Sequence, residues 1–365
     1  MLSSKFLASS RMLAIFFLLS FVICPTVHAN ALDSSIISMF PKDARDLKYA
    51  DLSGLRQYAW FPQFQVQIVP NDVLGLEQLL DAAHRPQPAP EQPAAEQYTV
   101  EQREGEQGEG EQREGQPQEQ PPPERLPSID QVAWARVPIS GTSQVVAVGM
   151  GQFDVEGIKM FLDSHGVSSI PGGTYEIYAA QPDLGMPEGY FTLIDSRTVA
   201  VGPLEGLKRM LEIRAQKQAN LLGNTNLMNL ITQLNGQALF WSVLDSVEAQ
   251  TTVKRLVPEM MKFPQANDVV MKLKQLSISL KAVDNMQIDM RVDAASGKDA
   301  VVLSQLLEAS ILSQRHQSAQ DNPELGKILN GMGIAPSGNQ LNIRLTVTDD
   351  QMRGLADQNT FSLLM

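Results

Sequence analysis

Three segments in the last third of the chain alternate apolar and polar residues with a period of two. They span 276–281, 286–292 and 341–348. Successive side chains of a β-strand point to opposite faces of the sheet, so the alternation predicts strands with one buried and one water-facing side. Asp284 and Asn285 are typical turn residues and predict a hairpin between the first two segments. The pattern indicates an antiparallel sheet whose apolar face is covered by helices.

Helical periodicity supplies the covering elements. Asp154 is a suitable N-cap for a helix over 155–164, and Gly166 is a suitable residue to end it. Another covering helix is predicted over 298–314. The inward face of this second helix carries four apolar residues, Leu303, Leu306, Leu307 and Ile311.

The order strand, helix, strands, helix occurs twice, starting near Val145 and near Ala238. This repetition predicts an α+β protein with two similar lobes, each an antiparallel sheet covered by helices. We place the first lobe at 128–236 and the second at 237–365. A helical segment over 30–85 is expected to pack on the first lobe.

The composition changes abruptly over 86–127, which is almost entirely Glu, Gln, Pro, Gly and Ala. This segment carries ten Glu against three Arg, so it supplies much of the formal net charge of −12. It has little apolar surface whose burial could offset the entropy lost on ordering. We therefore expect a disordered acidic spacer between the opening segment and the first lobe. It is either a surface tether or a tolerated loop expansion.

The first 29 residues have the layout of a secretory signal peptide. Lys5 and Arg11 precede an apolar run over 12–24, and Val27 and Ala29 offer small residues for cleavage after Ala29. An uncleaved anchor is the alternative, although the run is short for a membrane span. Cys24 is the only cysteine, so the cleaved chain would have no disulfide, thiolate ligand or thiol nucleophile. We expect an exported protein, periplasmic or secreted, with no membrane span after cleavage.

The chain offers no constellation typical of an active site or a metal site, and we assign no catalytic, cofactor-binding or metal-ligating residue. Gly149 and Gly151 lie between a predicted strand and helix, but Asp154 occupies the third glycine position of a dinucleotide fingerprint. His165 is expected at a helix end, and Asp349 and Asp350 are expected to cap a short helix. Nucleic-acid binding needs clustered Lys and Arg, and the sequence has no such basic patch.

Methionines are frequent in the second predicted lobe. Methionine fills irregular gaps in cores and also lines adaptable binding surfaces, so both interpretations stay open. Five of these residues are Met260, Met261, Met271, Met286 and Met290.

From residue 129 onward the chain resembles uncharacterised secreted bacterial proteins that pair two small α+β units. The resemblance rests on the order of several short motifs, and it implies export and an α+β fold without an activity, cofactor or site residue. The acidic spacer departs from the pattern as an insertion. The motifs are 40–44, 49–52, Ile129-Asp130-Gln131-Val132-Ala133-Trp134-Ala135, Gly151-Gln152-Phe153-Asp154, 175–178, 198–202 and Ala238-Leu239-Phe240-Trp241.

Three functions are compatible with the sequence. The favoured hypothesis is a non-enzymatic envelope or extracytoplasmic protein that binds a partner protein or a ligand. The second is a hydrolase that uses carboxylates or a serine, which would bring titratable groups together in a pocket. The third is a carrier of apolar ligands, with a deep cavity lined by Met286, Met290 and Leu307.

Overall fold

The fold is seen in a computed structural model that describes residues 29–84, 128–139, 141–186, 189–321 and 323–364. The predicted signal peptide, apart from Ala29, and the predicted acidic spacer lie outside these described residues. The described part of the chain forms twelve α-helices and twelve β-strands. No helix in this part is both long and apolar enough to cross a bilayer. The predicted α+β class is confirmed.

The twelve strands form one continuous antiparallel sheet. Their order across the sheet is β11-β12-β10-β9-β8-β1-β2-β3-β7-β6-β5-β4, so the strands of both predicted lobes share one sheet. Their bounds are β1 Asp46–Asp51, β2 Ile129–Ile139, β3 Thr142–Gly151, β4 Ser169–Gly172, β5 Tyr175–Ala179, β6 Tyr190–Asp195, β7 Thr198–Gly202, β8 Phe240–Leu244, β9 Leu273–Ala282, β10 Met286–Ala294, β11 Gly333–Ser337 and β12 Gln340–Val347.

The helices cover both faces of the first half of the sheet and one face of the second half. Their bounds are α1 Ser34–Ile37, α2 Leu52–Leu55, α3 Phe61–Ile68, α4 Asn71–His84, α5 Val155–Ser164, α6 Leu204–Arg214, α7 Thr225–Leu234, α8 Ser246–Leu256, α9 Ala266–Val270, α10 Gly297–Asp321, α11 Pro323–Asn330 and α12 Asp349–Asp357.

Strand β1 joins the two halves of the sheet. It pairs with β2 on one side and with β8 on the other, and all six of its residues are buried. The opening segment, predicted as helical, therefore also supplies a central strand. We attribute this difference to Asp46, Lys48 and Asp51. Charged residues are usually exposed to solvent, so these three do not predict a buried strand.

Three apolar clusters hold the helices to the sheet. The first lies beneath α3, α4, α5 and α12. The second lies on the opposite face beneath α1, α6 and α7. The third lies beneath α8, α9 and α10. It is on the same face as the first, because Phe240 of the first cluster and Leu244 of the third are four residues apart on β8 and so point to the same side of the sheet.

Most of the predicted elements agree with the structure. The three alternating segments form β9, β10 and β12, and the first two are joined by the three-residue loop 283–285 rather than by a two-residue turn at Asp284 and Asn285. Asp154 caps α5 by accepting a hydrogen bond from the Gly157 amide at 3.0 Å, and Gly166 adopts a φ of +68° just after the helix.

Three helix ends differ from the prediction. Helix α10 continues to Asp321, past the predicted end at residue 314, and helix α8 ends at Leu256 because Pro258 begins a 3₁₀ turn. Helix α12 is capped by Thr348 in a reciprocal capping box with Gln351, whereas Asp349 and Asp350 lie in its first turn.

Candidate functional site

The polar side chains of β9, β10 and β12 share one face of the sheet. In the ladders, Asp289 lies opposite Ser279 on β9 and Arg344 on β12, and Arg291 lies opposite Ser277. The intervening apolar residues belong to the clusters on the other face, where α8, α9, α10 and α12 pack. The face predicted to meet water is therefore the one that carries these polar groups.

Helix α7 forms a wall beside this face and turns it into a cleft. The cleft has a volume of about 550 Å³. Leu230, Gln233 and Leu234 line it from the helix, and β9 to β12 line it from the sheet. Seven polar residues of the sheet line the cleft, namely Ser277, Ser279, Lys281, Asp289, Arg291, Asn342 and Arg344.

Asp289 is the centre of an ion-pair network in the cleft. Arg344 Nε donates to its Oδ1 at 2.8 Å, and Gln287 Nε2 donates to its Oδ2 at 2.7 Å. Lys281 Nζ lies 3.6 Å from the same Oδ2. Burial alone would raise the pKa of this carboxyl, but the hydrogen bonds from Arg344 and Gln287 outweigh burial and hold the pKa below its ordinary value. Asp289 is therefore a weak base that orients two cations.

Arg291 connects the sheet to α7. Its Nη1 donates to Gln233 Oε1 at 2.8 Å, and its Nε lies 3.4 Å from Asp293 Oδ1. The residues that line the cleft include three cationic side chains and one carboxylate, whereas the whole chain has a formal net charge of −12. The cleft is therefore a locally cationic surface, rich in hydrogen-bonding groups, on an acidic protein.

This arrangement suits binding better than acid–base chemistry. The lining residues include Asp289 but neither a second carboxylate nor a histidine. Ser279 lies opposite Asp289, whose lowered pKa makes it a poor general base near neutral pH. Within the described ranges, no group of three His, Cys, Asp or Glu side chains could hold a metal ion. The lining can hold a ligand by hydrogen bonds and charge.

The residues expected to line an apolar cavity are divided between two cores. Met286 is 2% exposed and belongs to the first cluster, whereas Leu307 belongs to the third. Met290 packs against the third cluster and also borders the polar cleft. These contacts are those of core packing. Met271 differs, because its side chain is 54% exposed.

The other residues considered from the sequence take part in packing or hydrogen bonding within the fold. A Cβ on Gly149 would lie 3.1 Å from side chains of the neighbouring strands, so this glycine permits close packing. His165 Nδ1 lies 2.8 Å from the carbonyl oxygen of Phe161 at the end of α5. Asp349 accepts a hydrogen bond from Trp60 Nε1 at 3.3 Å. The structure places none of these residues among those that line the cleft.

The sequence did not predict that α7 forms one wall of the cleft. Alternation identified the polar face, but Gln233 meets Arg291 across 58 positions of the chain. Single-sequence periodicity describes only local faces and cannot indicate which distant strand a helix will flank. A sequence signal for this contact would have been a pair of positions that vary together among homologues.

No family model matches the chain, and no curated protein sequence matches it. Among solved structures, the chain is similar to crystal form I of TP0453, with 10% identity, a TM-score of 0.47, and coverage of 90% of this chain and 98% of that chain. Crystal form III of TP0453 has 9% identity, a TM-score of 0.48, and coverage of 90% and 99%. Similarity at this level carries no argument about function.

Proposed function

We propose that this protein is an exported, non-enzymatic binding protein that recognises its partner through the cleft between α7 and strands β9 to β12. One observation carries the proposal. Arg291 Nη1 donates to Gln233 Oε1 at 2.8 Å, so α7 is fixed beside an open polar sheet face and the two form a concave site. Preformed clefts with a few convergent polar groups are typical binding sites.

The chemistry of the lining favours an acidic partner. Lys281, Arg291 and Arg344 supply three positive charges, against two negative charges from Asp289 and from Asp293, the ion-pair partner of Arg291. Arginine recognises carboxylates through paired hydrogen bonds, which gives both energy and orientation. An acidic protein segment fits this surface better than the apolar ligand considered from the sequence, because an apolar ligand would leave buried charges without partners.

Export is supported by the signal-like pattern of the first 29 residues and by the lack of cysteine after Cys24. Mass spectrometry of the protein from fractionated native cells tests this part. We expect an N-terminus at Asn30 in an extracytoplasmic fraction. A chain that keeps Met1 and remains in the cytoplasm would contradict export while leaving the binding proposal in place.

Binding is tested by crosslinking in the native cell followed by identification of the bound partner. The variant Arg291→Glu/Arg344→Glu reverses two charges of the cleft, and Lys208→Glu reverses an exposed charge on α6 as the matched control. Each lost charged contact is worth about 1–3 kcal/mol, so we expect recovery of the partner to fall at least tenfold in the cleft variant alone.

Two controls make this result interpretable. Circular dichroism must show that the cleft variant keeps the wild-type fold. Partner recovery that is equal for the wild type, the cleft variant and Lys208→Glu would rule out the cleft as the binding site.

A further inference from the structure

A second set of polar groups lies buried in the middle of the sheet, outside the cleft. Lys48 lies opposite Trp134 on β2 and opposite Ser242 on β8, so the three side chains form a row across one face. Asp46 lies two residues before Lys48 on the same face of β1. Each of these four residues is only 1% exposed.

Helix α8 brings a fifth polar group over this row. Glu248 of α8 forms an ion pair with Arg136 at 2.9 Å, and Arg136 lies 3.7 Å from Asp46. Thr252 lies one helical turn further along, about 6 Å from Glu248. Two residues of a strand cover about 6.6 Å, so the step from Asp46 to Lys48 matches that turn. Thr252 shares the buried face of α8 with Glu248, and it is also 1% exposed.

Several polar atoms of this set have no hydrogen-bond partner among the described residues. They are Asp46 Oδ2, Trp134 Nε1, Ser242 Oγ and Thr252 Oγ1. Lys48 Nζ lies 3.4 Å from Asp46 Oδ2, which is an ion-pair distance and does not use all three of its N–H donors. Buried polar groups in proteins are nearly always hydrogen-bonded, often to enclosed water.

We infer that the space between α8 and the row Trp134, Lys48, Ser242 is a binding site for one or more enclosed water molecules. The groups around it include donors, at Lys48 and Trp134, an acceptor at Asp46, and two hydroxyls that can act as either. Water both donates and accepts, so it matches this inventory. The ion-paired residues Lys48, Arg136, Asp46 and Glu248 balance in charge. Arg255 of α8 adds a positive charge that interacts with Arg136 and Glu248, and its Nε is a further buried donor without a hydrogen-bond partner among the described residues.

Matched threonine substitutions test the inference through stability. Thr252→Val removes a hydroxyl that water would bridge to its neighbours, and we expect it to lower the urea midpoint. Thr251→Val is the control, because Thr251 is exposed on the same helix and its Oγ1 donates to the Val247 carbonyl oxygen at 3.0 Å, so it should change the midpoint little. Removing a hydroxyl that truly lacks a partner should leave the midpoint unchanged or raise it.

A direct measurement accompanies the variants. In a water-selective rotating-frame NMR experiment on the wild-type chain, we expect the Trp134 indole N–H to show a cross-peak to long-lived water, with the signal assigned by Trp134→Phe. The absence of that cross-peak would overturn the inference. A urea midpoint that is unchanged or rises in Thr252→Val would overturn it as well.

Discussion

Lys48 lies directly opposite Trp134 in the ladder between β1 and β2, and both side chains are 1% exposed. A lysine in this position is removed from bulk solvent, and Asp46 Oδ2, 3.4 Å away, is its ion-pair partner. Asp46 also accepts a hydrogen bond from the Arg136 amide at 2.5 Å. One carboxylate therefore connects a buried cation and the backbone of the neighbouring strand.

Removing this carboxylate should be strongly destabilising. Asp46→Ala leaves Lys48 buried and unpaired, so we expect the free energy of unfolding to fall by about 3–5 kcal/mol. Urea denaturation followed by circular dichroism measures the change. Asp43→Ala is the control, because Asp43 pairs with Arg209 at a site where the Asp43 side chain is 56% exposed. It should cost at most about 1 kcal/mol, and equal losses in the two variants would contradict this account.

The same lysine should make stability depend on pH on the alkaline side. Burial lowers the pKa of Lys48, and the charge of Asp46 opposes this only in part. Between the lowered folded pKa and the ordinary value of about 10.4, the unfolded chain binds more protons than the folded chain. Stability from this group must therefore rise with pH across that window. Urea midpoints of the wild type should rise relative to those of Lys48→Met as pH increases, whereas parallel profiles would refute the prediction.

Asp289 should have its effect on the acid side. The pKa of its carboxyl is lowered in the folded protein, so its stabilisation is complete above about pH 3.9 and is lost as pH falls through the folded pKa. The effect should stay below about 1 kcal/mol, because the Arg344 side chain is 67% exposed. Denaturation between pH 5 and pH 2 should show a steeper loss in the wild type than in Asp289→Asn. Identical slopes would show that the ion pair does not contribute.

Two helical glycines should respond in opposite ways to alanine. A Cβ on Gly206 of α6 would lie 2.5 Å from Val146 Cγ1 and 3.2 Å from Ile139 Cδ1, whereas a Cβ on Gly354 of α12 would meet open space. We expect Gly206→Ala to cost about 1–3 kcal/mol through overpacking, and Gly354→Ala to add about 0.5–1 kcal/mol through helix propensity. Melting temperatures from calorimetry decide this, and a gain in both variants would contradict the close packing of α6.

The structure agrees with the sequence where burial follows a local period. Leu276, Ile278 and Leu280 alternate with polar residues and are all at most 3% exposed. Strand β1 has no such period, because its buried residues include charged ones. Their burial depends on partners far along the chain, such as Arg136 for Asp46. The cleft likewise combines a feature set by a local period with one set by a long-range contact. Its polar face was predictable from alternation, but its wall depends on a long-range contact that a single sequence does not encode locally.

The central position of β1 has a consequence for the order of assembly. Asp46 is translated early, yet it pairs with Leu244, which is translated about 200 residues later. Ladders that join distant segments form slowly, so the two halves of the sheet should merge late, after each hairpin has closed locally. Until then β2 and β8 present unpaired edges that can recruit other chains. Nascent copies of this protein should therefore be most prone to aggregation before β8 emerges and closes on β1.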